Sequence, residues 1–325
     1  MGKRGSLEMG DVWLERCCDV WDKTVARRWV DWVSRGVLAG GLVAMGITLG
    51  TGLASGMEGG LGRALGGLGF VGGFSCIVAT RSLLVTEVNV LGAASAIKGR
   101  LLMRGGRVGH LLRVLSVWVV VCVANWVGGA SVAALMAGAD LVTPEAKGGL
   151  CAKVSAMDRM SVGSAFVSGI VGNVVVGVAS VMTKVGGGGV GEVLGMGLVP
   201  AYAFAVIGAG HSTVDGTAVA MAALLGGCQG VGLVGVWVRF VLFATLGNVV
   251  GGAGVVGIMK LYDDGAAGRG QARGGGQGRK EGEGEDEDME SSLVRSADEV
   301  ESLASLASLA SLASFTSSTS STSSA

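Results

Sequence analysis

"VIGAGHSTVDGTAVAM", residues 206–221, lies in the most apolar part of the chain and yet carries His211 and Asp215. His211 is one of two histidines in the sequence, and it stands between glycines in a run that otherwise reads as soluble in lipid. An ionisable group inside a membrane span costs on the order of several kcal/mol and marks a functional position by default. A break in a membrane helix is tolerable only where the freed backbone is buried in protein or lines a cavity. The stretch therefore reads as an interrupted span around a polar path.

The composition supports a membrane setting. Half of the 325 residues are hydrophobic, 15% are charged, and the mean hydropathy is +0.60. A soluble domain with 61 Gly and 2 Pro would form poor helices and a thin core. In a bilayer the same small residues let helices approach closely. A spanning helix needs about 20 apolar residues, and six windows qualify: 36–57, 66–97, 112–137, 161–183, 193–227 and 231–262. The second and fifth are too long for one span, and each has a polar interruption. One holds Thr86, Glu87 and Asn89; the other holds His211, Ser212, Thr213 and Asp215.

The fold expected is an all-α integral membrane protein of six transmembrane helices, arranged as two inverted three-helix repeats with helices 2 and 5 broken. Broken helices at matching positions of inverted halves point to a central permeation site. The positive ends of half-helices and their free N–H groups favour anions there. Residues 1–35 form a cytoplasmic amphipathic segment, 36–262 the pore domain, and 263–325 a tail. That tail is Gly-rich, then basic, then acidic, and ends in a three-residue Ser-Leu-Ala repeat, a composition expected to be disordered.

Lysine and arginine fix the expected orientation. They crowd the N-terminal segment and the loop at 98–113, whereas the outer loops hold only Arg63, Lys147, Lys153 and Arg159, so both termini are expected in the cytoplasm. The plasma membrane is the default location, since no cleavable signal is visible. "VWLERCCDVWDKTVARRWVDWV", residues 12–33, is expected to lie at the inner interface. Gly2 and the pair Cys17–Cys18 fit loose lipidation patterns, with an ordinary cytosolic end as the simpler reading. Cys76, Cys122, Cys151 and Cys228 have no metal-type spacing, so neither a metal nor a disulfide is expected. His110 reads as a solvated loop residue in a basic stretch beside lipid headgroups; a charge run between spans does not suit nucleic acid. No nucleophile–base spacing or phosphate-cradling loop suggests an enzyme, and no cofactor is implied.

At this point the residues resemble the formate/nitrite transporter family. The resemblance rests on six stretches in order: "RGVLAGGLVAMG" (35–46), "LLVTEVNV" (83–90), "CVANWVGG" (122–129), "GIVGNVVVG" (169–177), "PAYAFAVIGAGHSTVD" (200–215) and "LGNVVGG" (246–252). It implies an aquaporin-like fold, a homopentamer with one pore per protomer, and passage of small monovalent anions or their acids such as formate, nitrite, acetate or lactate. It further implies that Thr86 and His211 face each other in the pore, that Phe74 and Phe204 form apolar constrictions, that Asn173 and Asn248 support the breaks, and that Lys23 sits near the inner mouth. Protons are implied partners through His211: a neutral ring is far cheaper to bury than a charged one, and an anion beside it allows a proton to be shared as a coupled titration.

The chain departs from the family pattern at Arg81, Glu87, Asp215 and Glu192, where Gly-type, Gly, Asn and Lys are usual. Arg81 and Glu87 either neutralise one another as a buried pair, or Arg81 faces the path as an anion attractor. Asp215 either meets a neighbouring Ser or Asn, or pairs with Arg81 or Arg239. These changes keep alternatives open: a pore of the same fold for neutral or cationic small molecules, or a membrane sensor that no longer transports.

Overall fold

Apolar runs interrupted by glycines and short polar turns fold as helices, and among the described residues every regular element is helical. The structure, a computed structural model, describes residues 9–57, 59–97, 106–185 and 190–274. The helices are α1 (Met9–Val25), α2 (Trp29–Leu53), α3 (Gly59–Thr80), α4 (Val85–Ile97), α5 (Gly106–Gly138), α6 (Pro144–Arg159), α7 (Val162–Val185), α8 (Val190–Ile207), α9 (Ser212–Leu224), α10 (Leu233–Val236) and α11 (Leu242–Gly274). A π-helical turn, Trp237–Val241, joins α10 to α11. Residues 1–266 form one compact unit; a second, from Ala267, contributes only the end of α11 to the described residues.

Among the described residues, four stretches are long and apolar enough to cross a bilayer: α2, α3, residues 108–138 of α5, and residues 233–261. The pair Pro144–Arg159 and Val162–Gly177, bent by 119°, meets the same criterion when taken together. Many large apolar side chains on these helices face outward, including Leu38, Leu49, Leu61, Val119 and Leu246, as expected of surfaces in contact with lipid or with another subunit.

Close helix crossings rest on glycine. A Cβ on Gly40 of α2 would overlap the Asn125 carbonyl, and one on Gly128 of α5 would overlap that of Val37. The α7–α11 crossing repeats the device with Gly169 against Ala244 and Gly247 against Phe166. Small residues at these points let the backbones approach and replace hydrophobic drive with dense van der Waals packing.

Several sequence expectations change. α1 does not lie alone at an interface: Trp13, Cys17, Cys18 and Trp21 are buried in a cluster with α4 and α5 residues, so the apolar face of the helix is satisfied by protein. Burial also removes Cys17 and Cys18 as lipid-attachment sites; Gly2 lies outside the described residues. The end of α1 is tied down where Trp32 Nε1 donates to the Thr24 carbonyl (2.7 Å) and Arg113 donates to that of Val25 (2.9 Å) while lying over the Trp32 ring. His110 is buried within α5 rather than solvated in a loop, because that helix begins at Gly106 and carries the residue inward. The segment at 144–159, expected as an outer loop, is helix α6, started by Thr143, whose hydroxyl accepts from the Ala146 N–H (3.2 Å), with Pro144 at the first position. α11 runs on to Gly274, past the apolar window; the rest of the tail lies outside the described residues.

The expectation of no disulfide is overturned. Cys151 of α6 and Cys228, beyond the end of α9, are bonded with Cα atoms 5.4 Å apart. They are 77 residues apart in sequence, and only the packing of α6 beside α9 brings them together.

Candidate functional site

Both interruptions begin with a left-handed residue. Arg81 (φ 52°) ends α3, and Gly208 (φ 72°) ends α8. The non-helical residues are 81–84 and 208–211, so the first break lies just before its polar cluster and the second ends on His211, where its cluster begins. Thr86 falls in the first turn of α4, and His211 is the N-cap of α9.

Two asparagines hold these breaks in the same way. Asn125 of α5 accepts from the Val85 N–H (3.0 Å) and donates to the carbonyls of Leu83 (2.8 Å) and Gly36 (2.9 Å). Asn248 of α11 accepts from the Ser212 N–H (2.8 Å) and donates to the carbonyls of Gly210 (3.0 Å) and Gly169 (2.7 Å). In each case one side-chain amide satisfies a carbonyl of the unwound segment and the first N–H of the following helix, and grips a neighbouring helix. Buried backbone groups left without such partners would be costly. Asn125 also accepts from the Thr213 hydroxyl (3.0 Å), so it touches both interruptions. Asn173 donates to the Asn248 carbonyl, one step removed from the break. The motif around Asn125 is visible in the sequence, but its role is not, because a lone Asn in a span does not reveal what it bonds.

The two interruptions meet at one contact. Thr86 Oγ1 and His211 Nε2 are 3.1 Å apart, both side chains buried, across 125 residues of sequence. The ring's other nitrogen, Nδ1, accepts from the N–H groups of Thr213 (3.2 Å) and Val214 (3.4 Å) at the start of α9. With Nδ1 an acceptor, the proton of the neutral ring sits on Nε2 and points at Thr86. One turn beyond Thr86, both amide atoms of buried Asn89 are without hydrogen-bond partners among the described residues.

Apolar rings cover one side of this contact. Phe204 meets His211 edge-on with centroids 5.4 Å apart, and Phe70 tilts against Phe204 at 5.2 Å. Phe74, one turn further along α3, stacks on Phe70 at 6.3 Å. Phe70 is thus the ring that closes on Phe204. Beyond it opens a cavity of about 650 Å³ between α2, α3, α6 and α8, lined by Phe70, Phe204, Arg63, Glu145 and Lys153 among others.

Lys153, expected in an outer loop, is carried to the site by the fold. Its Nζ lies 3.0 Å from Asp215 Oδ1, while Asp215 Oδ2 accepts from the His211 backbone N–H at 2.7 Å. Asp215 therefore pairs with neither Arg81 nor Arg239; Arg239 bonds Asp158 at 2.7 Å instead. The reason is α6, which folds back and carries Lys153 over the start of α9. Lys23 is exposed in the last turn of α1, and Arg81 is exposed at its break, where its carbonyl accepts from Arg35 (3.1 Å). The Glu192 side chain lies outside the described residues. Among those described, no group of three His, Cys, Asp or Glu could hold a metal.

The sequence profile of the formate/nitrite transporter family matches residues 11–262. The chain belongs to this family. Its members are membrane channels and transporters for small anions, so the role is transport and not catalysis. No curated protein sequence matches. Two solved structures share the fold: an FNT family ion channel (19% identity, TM-score 0.66, covering 77% of this chain and 98% of the other) and a pentameric formate channel with formate bound (20% identity, TM-score 0.60, covering 74% and 97%). The family match spans the two interruptions, the Thr86–His211 contact and both asparagine knots.

Proposed function

We propose that the chain assembles as a homopentamer whose protomers each conduct small monovalent anions of the formate class, with His211 taking part as a proton donor. The observation that carries this reading is the Thr86–His211 contact, which buries a titratable ring where two interrupted helices meet and screens it behind Phe70 and Phe204. An anion reaching the pair meets an Nε2–H already oriented by the Nδ1 bonds. A proton taken up from solution with the anion and shared between anion and ring lets the species cross the apolar rings as its neutral acid and leaves the ring neutral. Asn89 offers hydrogen-bonding groups on the far side of Thr86.

Six spans in two inverted repeats accommodate the parallel hydrogen bonding of Asn125 and Asn248, which links α2, the first break and α5 as it links α7, the second break and α11. The pentamer is supported by the formate channel of the same fold. Cytoplasmic termini and a plasma-membrane location agree with the Cys151–Cys228 bond, since disulfides persist on the oxidising side and the charge distribution puts α6 on the outer face. The test is flux into proteoliposomes of formate, nitrite, lactate and ammonium at two pH values. Anion uptake that rises towards acid pH is expected; uptake of ammonium alone would refute the proposal.

A further inference from the structure

The charged groups around the cavity balance. Arg63 and Lys153 are matched by Glu145 on the lining and by Asp215 behind it. Lys153 faces the cavity with its side chain 37% exposed, whereas Asp215 is buried, its side chain 2% exposed. The Asp215 carboxylate takes two donors at once, the charged Lys153 ammonium and the neutral His211 backbone N–H. A free carboxylate arriving from the cavity would seek the same kind of contacts, with Lys153 the lining cation that adjoins the Asp215–His211 pair.

We infer that Asp215 is a specificity-determining residue, a tethered counter-anion that occupies Lys153 and with which every transported anion must compete. The inference rests on the anion-conducting reading above and deepens it. The pathway binds its anion weakly because the lysine is already paired. Entry of an anion into a balanced site leaves one uncompensated negative charge: the anion itself while the Lys153–Asp215 pair holds, or, when the pair opens, the buried Asp215 carboxylate, which keeps only its bond to the His211 N–H. Burying Asp215 holds the competing charge in place, and placing Lys153 at the cavity wall leaves the ammonium within reach of solute.

Asp215→Asn removes the charge but leaves an oxygen to accept from the His211 N–H. Formate flux into proteoliposomes is expected to half-saturate at roughly fivefold lower concentration, the worth of one partly exposed ion pair, with ammonium flux no higher than in wild type. The double variant Lys153→Met/Asp215→Asn, which has neither charge, should lose the gain. Asp215→Ser, also neutral, carries the same expectation should the amide variant not assemble. Unchanged or weaker formate saturation in the neutral variants, a gain that persists without Lys153, or an equal rise in ammonium flux overturns the inference. If wild type conducts formate and the neutral variants match it, this inference alone fails; if neither wild type nor any variant conducts formate, the anion-conducting reading fails with it.

Discussion

Asn125→Ala tests whether the interruptions are held by side-chain amides or by packing. The substitution leaves the Val85 N–H and the Leu83 carbonyl, at the end of the unwound segment, without the partners they have at 3.0 and 2.8 Å. Each buried group so orphaned costs about 1–3 kcal/mol, hence about 2–6 kcal/mol together. The Gly36 carbonyl and the Thr213 hydroxyl also lose a bond, but the first keeps its place in α2 and the second can rotate. Against a total stability of about 5–15 kcal/mol, such a loss should lower the unfolding temperature in detergent markedly and reduce the yield of assembled protein. Thr213→Val removes a single bond to the same asparagine and should cost only about 1 kcal/mol. Thermal unfolding with size exclusion on both variants gives the comparison. An Asn125→Ala protein as stable as Thr213→Val would show that glycine-mediated packing of α2 on α5 holds the break without the amide, and the reasoning would fail.

Other perturbations have equally definite outcomes. Cys151→Ser or Cys228→Ser should lower stability by at most about 4.5 kcal/mol, the loop-closure value for a separation of 77 residues, and less where the bilayer already restrains the unfolded chain; reductant should reproduce the shift in wild type only. Arg81→Gly relieves a left-handed backbone worth about 1 kcal/mol, partly offset by glycine's entropy, so thermal unfolding should move little or upward. A clear drop would mean that the guanidinium is needed structurally. His211→Asn keeps an N-cap oxygen for α9 and should assemble, while formate flux followed between pH 5 and 8 changes greatly in size or loses its pH dependence. A wild-type flux profile in that variant would leave the ring a structural cap and nothing more.

What is legible in the sequence and what is hidden divide along physical lines. The two interruptions are legible because an apolar span seldom tolerates a polar cluster unless the chain opens there. The pairing of Thr86 with His211 comes from the family resemblance, which the matching places of the two breaks in windows two and five support. Phe70 and Phe74 cannot be told apart: four residues apart on one helix, they share a face, and only the position of Phe204 selects the first. α6 is hidden by its low hydropathy: its narrow apolar stripe of Ala146, Leu150, Val154 and Met157 does not stand out beside the apolar spans, and with it go Lys153 and the disulfide. The Trp-rich face of α1 is amphipathic as expected but is covered by protein, because a periodic stripe says that a surface is buried and not by what. Asn125 stays silent in the sequence, since a buried amide's importance lies in the four groups it reaches from other segments.

The arrangement around His211 explains why the ring sits at a helix start and not within a helix. Inside α9 its backbone N–H would be spent on the preceding turn and its ring would hang from one flexible bond. As the N-cap it accepts through Nδ1 from two N–H groups that the helix cannot otherwise satisfy, so the fold itself fixes the ring plane and the tautomer. Its own N–H goes to Asp215, which in turn holds Lys153 at the cavity wall. One residue thereby links the inner polar contact with Thr86 to the charged pair on the outer side of the Phe rings. The break in the helix is what makes this possible: it frees the backbone groups that orient the ring, and Asn248 and Asn125 keep the freed segments from collapsing back into helix. A continuous helix could bury a histidine, but it could not aim one.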